Sequence, residues 1–521
     1  VYALPLLILR PLQDAPFVDD WIYHWSVKHL LETGQLLIPE YSSSVNPVQV
    51  VLGAIFCLPT GGFSFVAARF STWALSASGL CALYLLSREF GVSRARALLG
   101  AAVLGTCPLF FILSVSFMTD AGFVALATWS SFAMVRALRR RSDGWLTMSA
   151  IFAMLAAGFR LPAVVLPLAG MVAIIATRDA WALRPRRCAV VLSPLLVVLL
   201  LLIWNRHHQF VSVDIAGMEN APIRRVEDLK QHAMRMLPVT FPAAWLWAVA
   251  MSGACLLPLV IAGWRATRQQ LVSTSIIFAV LLAGYALLRV SRAGVNMPMS
   301  PGSTWRLDEL GASTDLAPGH GAPHPIGGML LFGIFCVCLF AGASVLAWVV
   351  FRPTRPGEAV LRWTIAGHVA LAAVLWLFYD RYILPVLPPL IVLTLLGQPR
   401  VRMSIAICGV MLFASLSLIG TRDHLAYNRT LWHTVRELHQ AGIAPRDIDA
   451  GYVVNGWFQY CIPANAPTDA SGKPYVPWLT DNGPLPYVVS SQRQDGYRVV
   501  SEHPVDRWLG PDFVLYVLRK E

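Results

Sequence analysis

Residues 121–141, AGFVALATWSSFAMVRALRRR, decide the fold class of this chain. The run from Ala121 to Val135 carries no charge, and Arg136, Arg139, Arg140 and Arg141 close it. An apolar stretch of about 17–25 residues matches the hydrocarbon core of a bilayer. Arginines gather on the cytoplasmic flank of such a segment. Asp120 stands at its other end. The stretch therefore reads as a membrane span with a basic inner end and an acidic outer end.

The same alternation recurs in both directions. Basic joints fall at Arg88/Arg94/Arg96, Arg178/Arg184/Arg186/Arg187, Arg265/Arg268, Arg352/Arg355/Arg362 and Arg400/Arg402, with arginine-poor joints such as 115–120 between them. Taking the basic joints as cytoplasmic, spans are expected at 1–12, 66–87, 97–114, 121–137, 146–158, 163–177, 189–204, 242–263, 271–289, 328–351, 362–378, 383–397 and 403–420. That makes about thirteen helices, with the N-terminus inside and the C-terminus outside. Residues 1–12 read as the surviving end of the first helix. Segment 47–58 is apolar, but counting it as a span would invert every later basic joint, so it is expected as an interfacial or re-entrant helix on the outer side. Loops 205–241 and 290–327 suit covers over an outward cavity.

Composition agrees. Of 521 residues, 56% are hydrophobic and 13% charged, against roughly 25% charged in soluble domains; mean hydropathy is +0.59. The dyad alternation of a membrane β-barrel is absent. The net charge of +12 lies between apolar runs rather than on one soluble face, so no nucleic-acid partner is expected. Nine cysteines are scattered, mostly in apolar runs, and read as buried thiols.

The last hundred residues change character. Residues 430–441 form a polar, helix-like stretch, followed by β-rich runs at 451–454, 487–489, 497–500 and 513–518. The expected organisation is a polytopic all-α membrane domain over 1–421 and a small extracytoplasmic α/β domain over 422–521.

Chemistry is expected at the outer rim. Asp19 and Asp20 are adjacent acids followed by Trp21, Tyr23 and Trp25. Neighbouring carboxylates near a bilayer repel each other and are costly. The plain alternative is a solvated loop or a helix N-cap, and the same alternative holds for Asp120. As a set, the three acids suit general-base work on an acceptor hydroxyl or amine. Arg69, Arg160 and Arg381 lie at expected outer ends, where they either snorkel to the interface or grip a phosphate anion. His207-His208 lacks a spaced partner set for a metal, and Asn428-Arg429-Thr430 matches a glycosylation sequon.

Four segments then carry a resemblance. Phe17-Val18-Asp19-Asp20-Trp21-Ile22-Tyr23, followed by His29-Leu30-Leu31-Glu32-Thr33-Gly34, resembles the first outer loop of GT-C glycosyltransferases, with its paired acid and "ARxLLExG" helix. Phe65-Val66-Ala67-Ala68-Arg69 resembles the family's "AARL", Met118-Thr119-Asp120 its "LTD", and Asp380-Arg381-Tyr382-Ile383-Leu384-Pro385 its "RYLLPALP". Within that superfamily the chain resembles the bacterial branch of the dolichyl-phosphate-mannose–protein mannosyltransferases, which includes the lipid A aminoarabinose transferases. The likeness is strongest over 15–135. Two positions depart from the pattern. Asn46-Pro47 stands where relatives carry Lys-Pro, and Phe159-Arg160-Leu161-Pro162 stands where they carry "TKGP".

The resemblance implies inverting sugar transfer from a polyprenyl-phosphate donor to a lipid, glycan or protein acceptor, outside a bacterial cytoplasmic membrane. It implies Asp19 as base, Asp20 and Asp120 as orienting acids, and Arg69, Arg160, Arg381, Tyr23 and Tyr382 at the donor. No nucleotide is needed; a divalent metal is compatible with the acids but not indicated. The competing classes are a transporter or flippase of lipid-linked or anionic solutes, which would show paired halves, and a non-catalytic member whose outer domain binds a partner.

Overall fold

The computed structural model describes residues 14–17, 20–39, 42, 44–177, 181–210, 245–263, 267–290, 328–350, 357–374, 380–398, 400–468, 472, 485–508 and 513–521. The expected first span (1–12), Asp19 and most of loops 205–241 and 290–327 lie outside the described residues.

The chain is a mostly helical, multi-pass membrane protein with a small C-terminal sheet. Among the described residues, seven helices are long and apolar enough to cross a bilayer: Phe65–Glu89, Thr119–Arg140, Pro185–Asn205, Trp245–Gly263, Arg268–Leu287, Phe332–Val349 and Met403–Gln440. An eighth candidate is the pair Arg94–Thr106 and Pro108–Ser114, bent by 69°. The bend falls at Pro108, which has no N–H to continue the ladder. Asp143–Ala157, Leu161–Ala176 and Arg381–Gly397 are shorter apolar helices. Segment 47–58 forms the short helix Pro47–Cys57, which leaves Val51 and Ile55 exposed.

Contacts between the joints mark two ends of the helices. At one end Arg136 pairs with Glu89, Arg187 with Asp143, and Arg96 reaches the Leu395 and Gln398 carbonyls. At the other end the Val48 N–H meets the Gly158 carbonyl, and the Ile38 N–H meets that of His208. There β1 (Ile38–Pro39) pairs in parallel with β2 (Gln209–Phe210). Asp20, Arg69, Asp120 and Arg160 belong to this second end.

Met403–Gln440 is one helix of 38 residues, so the expected division at 421 falls inside it. Its far part carries the C-terminal region. There β3 (Ile448–Asp449), β4 (Tyr487–Ser490), β5 (Tyr497–Val505) and β6 (Phe513–Lys520) form one sheet in the order β3-β4-β6-β5. The β3–β4 pair is parallel, and β6 runs antiparallel to both neighbours.

The run at 451–454 corrects the sequence reading. Its valines suggest a strand, yet Tyr452–Asn455 is helical and passes into a wide turn at Gly456–Tyr460. Asp449 is responsible: its Oδ1 accepts the Gly451 N–H and the Asn455 amide, and Asn455 Oδ1 in turn accepts the Ala450 N–H. Asx hydrogen bonds of this kind divert the backbone from a sheet ladder.

Candidate active site

Asp20 opens the helix Asp20–Thr33 and is completely buried. A buried carboxylate persists only when its oxygens are paired. Here Oδ1 accepts the Phe17 N–H at 2.8 Å, while Oδ2 accepts the Phe117 N–H and Arg69 Nε, each at 3.3 Å. Oδ1 thus reaches back to the N–H three positions earlier, not forward into its own helix as an N-cap would. Arg69 also donates to the Ala15 carbonyl and lies over the Phe17 ring, 4.3 Å from its centroid. Its place follows from Ser64, whose hydroxyl accepts the Ala67 N–H and starts the helix Phe65–Glu89 one turn before it.

His24 completes this knot. Its Nδ1 is 2.9 Å from the Asp20 carbonyl and 3.5 Å from Oδ1, and its ring is enclosed by Phe63, Phe65 and Phe117. Burial works against the Asp20 charge, but the Arg69 guanidinium, aided by the His24 hydrogen bond, outweighs it and holds the pKa below the ordinary carboxylate range. Burial holds the His24 pKa low despite Asp20, which keeps the imidazole neutral.

A second acid–arginine pair differs. Asp120 lies in the first turn of Thr119–Arg140, where the helix dipole favours an anion. Its Oδ1 meets Arg160 Nη1, while Oδ2 is buried without a hydrogen-bond partner among the described residues. Arg160 keeps 11% side-chain exposure, and its guanidinium lies 5.4 Å from the Tyr382 ring centroid. Arg381, 6% exposed, precedes Tyr382 in the 3-10 turn Asp380–Val386, which packs against Thr119–Arg140. Tyr23 is buried in the first turn of Asp20–Thr33.

The expected residues thus form two groups: Asp20 with Arg69, and Asp120 with Arg160 and Tyr382. Sequence reading did not reach His24, Phe117 or Gln49. Only the Asp20–His24 spacing of one helical turn offered a signal. Asn46, where relatives carry lysine, is buried; its Nδ2 donates to Gln49 Oε1, and Gln49 donates to the Phe117 carbonyl. That route joins it to the turn which serves Asp20. The sequon is excluded by packing, since Asn428 is 1% exposed and donates to His424 within one helix. His208 is exposed and stacked on Trp204. Among the described residues, no three His, Cys, Asp or Glu side chains gather as a metal would need.

Residues 48–204 match the family model of dolichyl-phosphate-mannose-protein mannosyltransferase. No curated protein matches the chain. Among solved structures, ArnT from Cupriavidus metallidurans is 14% identical in the apo state, with a TM-score of 0.40, covering 99% of this chain and 96% of that one. ArnT bound to undecaprenyl phosphate is 15% identical, with a TM-score of 0.39 and the same coverage. The apo Archaeoglobus fulgidus oligosaccharyltransferase is 13% identical, with a TM-score of 0.37, covering 83% of this chain and 57% of that one. At such scores these likenesses carry no structural argument. The family match and the four motifs agree: over residues 48–204 the chain is similar to the dolichyl-phosphate-mannose–protein mannosyltransferases, glycosyltransferases of the GT-C superfamily.

Proposed function

We propose that this protein is a membrane glycosyltransferase that moves a sugar from a polyprenyl-phosphate donor to an acceptor on the outer face of a bacterial cytoplasmic membrane. The reading places the arginine-rich end inside, about thirteen spans through the bilayer, and residues 422–521 outside. The observation that carries it is the pairing of acids with arginines at one end of a membrane bundle. Asp120 there keeps one buried carboxylate oxygen without a hydrogen-bond partner among the described residues. Buried acids beside cations at a membrane edge fit a reaction in which a proton is taken and a phosphate departs.

In this reaction Asp19 accepts the proton of the acceptor hydroxyl or amine. The freed lone pair attacks the anomeric carbon, and the bond from that carbon to the phosphate oxygen breaks with inversion. The leaving group is polyprenyl phosphate, which takes the electron pair as an anion. Arg160 and Arg381, with Tyr382 beside them, stabilise that anion. Asp120 orients Arg160 and the sugar. Asp20, with both oxygens occupied, anchors the chain next to Asp19, and Arg69 and Tyr23 complete the wall of the site. The lysine that relatives present is replaced by Asn46, so the phosphate relies on the arginines.

The test uses protein reconstituted in vesicles with polyprenyl-phosphate sugars labelled in the sugar. Release of polyprenyl phosphate together with label on an acceptor is expected. Accumulation of labelled donor across the bilayer with no release would instead establish a flippase.

A further inference from the structure

The residues that flank the acid pair are gripped from far along the chain. Pro16 offers only a carbonyl to hydrogen bonding, and that carbonyl receives the Trp432 indole N–H at 2.8 Å, across 416 residues. Phe17 meets the His424 ring edge-on at a centroid distance of 5.8 Å. Asn428 secures His424 through Nε2 at 3.1 Å.

On the other side of the acids, Trp21 is fully buried against the Gly456–Tyr460 turn. A Cβ on Gly456 would lie 2.4 Å from the Trp21 indole, so only glycine permits that approach. Tyr460 meets Trp21 edge-on at 5.6 Å, and Trp457 packs on Phe63 and Phe65, which enclose His24. The gripping elements are themselves tied to the sheet. Arg422 reaches both Asp423 and Asp506, the Trp508 N–H donates to Asp423 at 2.8 Å, and Tyr427 meets Phe513 at 5.8 Å.

We infer that the C-terminal region is a clamp on the residues that flank the acid pair, with Trp432 and Gly456 as its positioning residues. The contacts converge on Pro16, Phe17 and Trp21, immediately either side of the acids, rather than on the outer half of the helix Asp20–Thr33. A region that merely covered the site would not need to serve the buried Pro16 carbonyl. Misplacing a reacting group by about 1 Å costs on the order of 100-fold in rate, so a clamp on these residues acts on turnover rather than on donor affinity. The inference rests on the proposed transferase reading for its kinetic arm only.

The experiment compares full-length wild type with Trp432→Phe and Gly456→Ala in vesicles. Trp432→Phe keeps an aromatic ring and removes the N–H, leaving a buried carbonyl unserved. Deuterium uptake in peptides spanning 14–24 is expected to rise about tenfold in rate, as one lost buried hydrogen bond implies. Uptake in the Phe65–Glu89 and Thr119–Arg140 helices should stay at wild-type rates, which separates loosening of the flanking residues from unfolding. Turnover should fall about 10–100-fold with an unchanged KM for polyprenyl-phosphate sugar. Gly456→Ala provides a second route if Trp432→Phe does not fold. Wild-type exchange over 14–24 in both variants overturns the clamp, as does faster exchange with undiminished turnover. Should the wild type transfer no sugar, the transferase reading fails, and the exchange comparison alone decides the clamp.

Discussion

Two acid–arginine pairs share one end of this molecule, and they are built for different tasks. Asp20 is entirely enclosed, and both its oxygens are used, by two backbone N–H groups and by Arg69. Asp120 gives one oxygen to Arg160 and keeps the other without a hydrogen-bond partner among the described residues, while Arg160 retains some exposure beside Tyr382. A saturated carboxylate organises structure. A carboxylate with an unused oxygen next to a part-exposed guanidinium has capacity left for a substrate.

The comparison breaks most sharply at Asp20→Asn. Removing one partner of a buried pair strands the other charge, at a cost of about 3–5 kcal/mol. Thermal unfolding of detergent-solubilised protein should show a large fall in midpoint or no folded material. A midpoint close to wild type would mean that Asp20 is not the clasp described here. Asp120→Asn should give the opposite profile: a modest shift in midpoint, and sugar transfer reduced about 100-fold. If the two substitutions lower stability equally while sparing transfer, the distinction between the pairs fails.

Arg160→Lys keeps the charge and gives up the guanidinium fork. The KM for donor should rise about tenfold with little change in kcat, because the planar two-point grip on phosphate is lost. The smallest effect is in pH dependence. The folded pKa of Asp20 is depressed, so its stabilisation is complete above the unfolded value of about 3.9 and is lost as pH falls through the folded value. His24, held neutral by burial, works in the same direction, beginning below its unfolded value of about 6.5. Acid titration of unfolding should therefore show stability declining below about pH 6.5. His24→Gln should make that decline shallower, and a decline of unchanged depth would remove His24 from the knot.

The helices were legible because span length and charge flank are local properties. Arg136 to Arg141 could mark an end with no knowledge of any neighbour. The runs at 487–489, 497–500 and 513–518 became strands for a similar reason, since β-branched and aromatic content is written in the residues themselves. The run at 451–454 was misread because Asp449 and Asn455 fold back on the chain there, and valine content does not register side-chain to backbone bonds. Asp20 was singled out correctly as unusual, yet its partner lies 49 residues away and its second backbone donor 97 away. Trp432 was invisible as a site residue for the same reason. Distances along the chain of that size carry no periodic signal.

The central claim is that the rim reached by these two pairs performs sugar transfer with Asp19 as base. It is tested most directly by single-turnover release of polyprenyl phosphate in vesicles, comparing wild type with Asp19→Asn. The account predicts a folded variant that binds donor as wild type does and releases product about 100–10,000-fold more slowly. Equal release from the two proteins would contradict it.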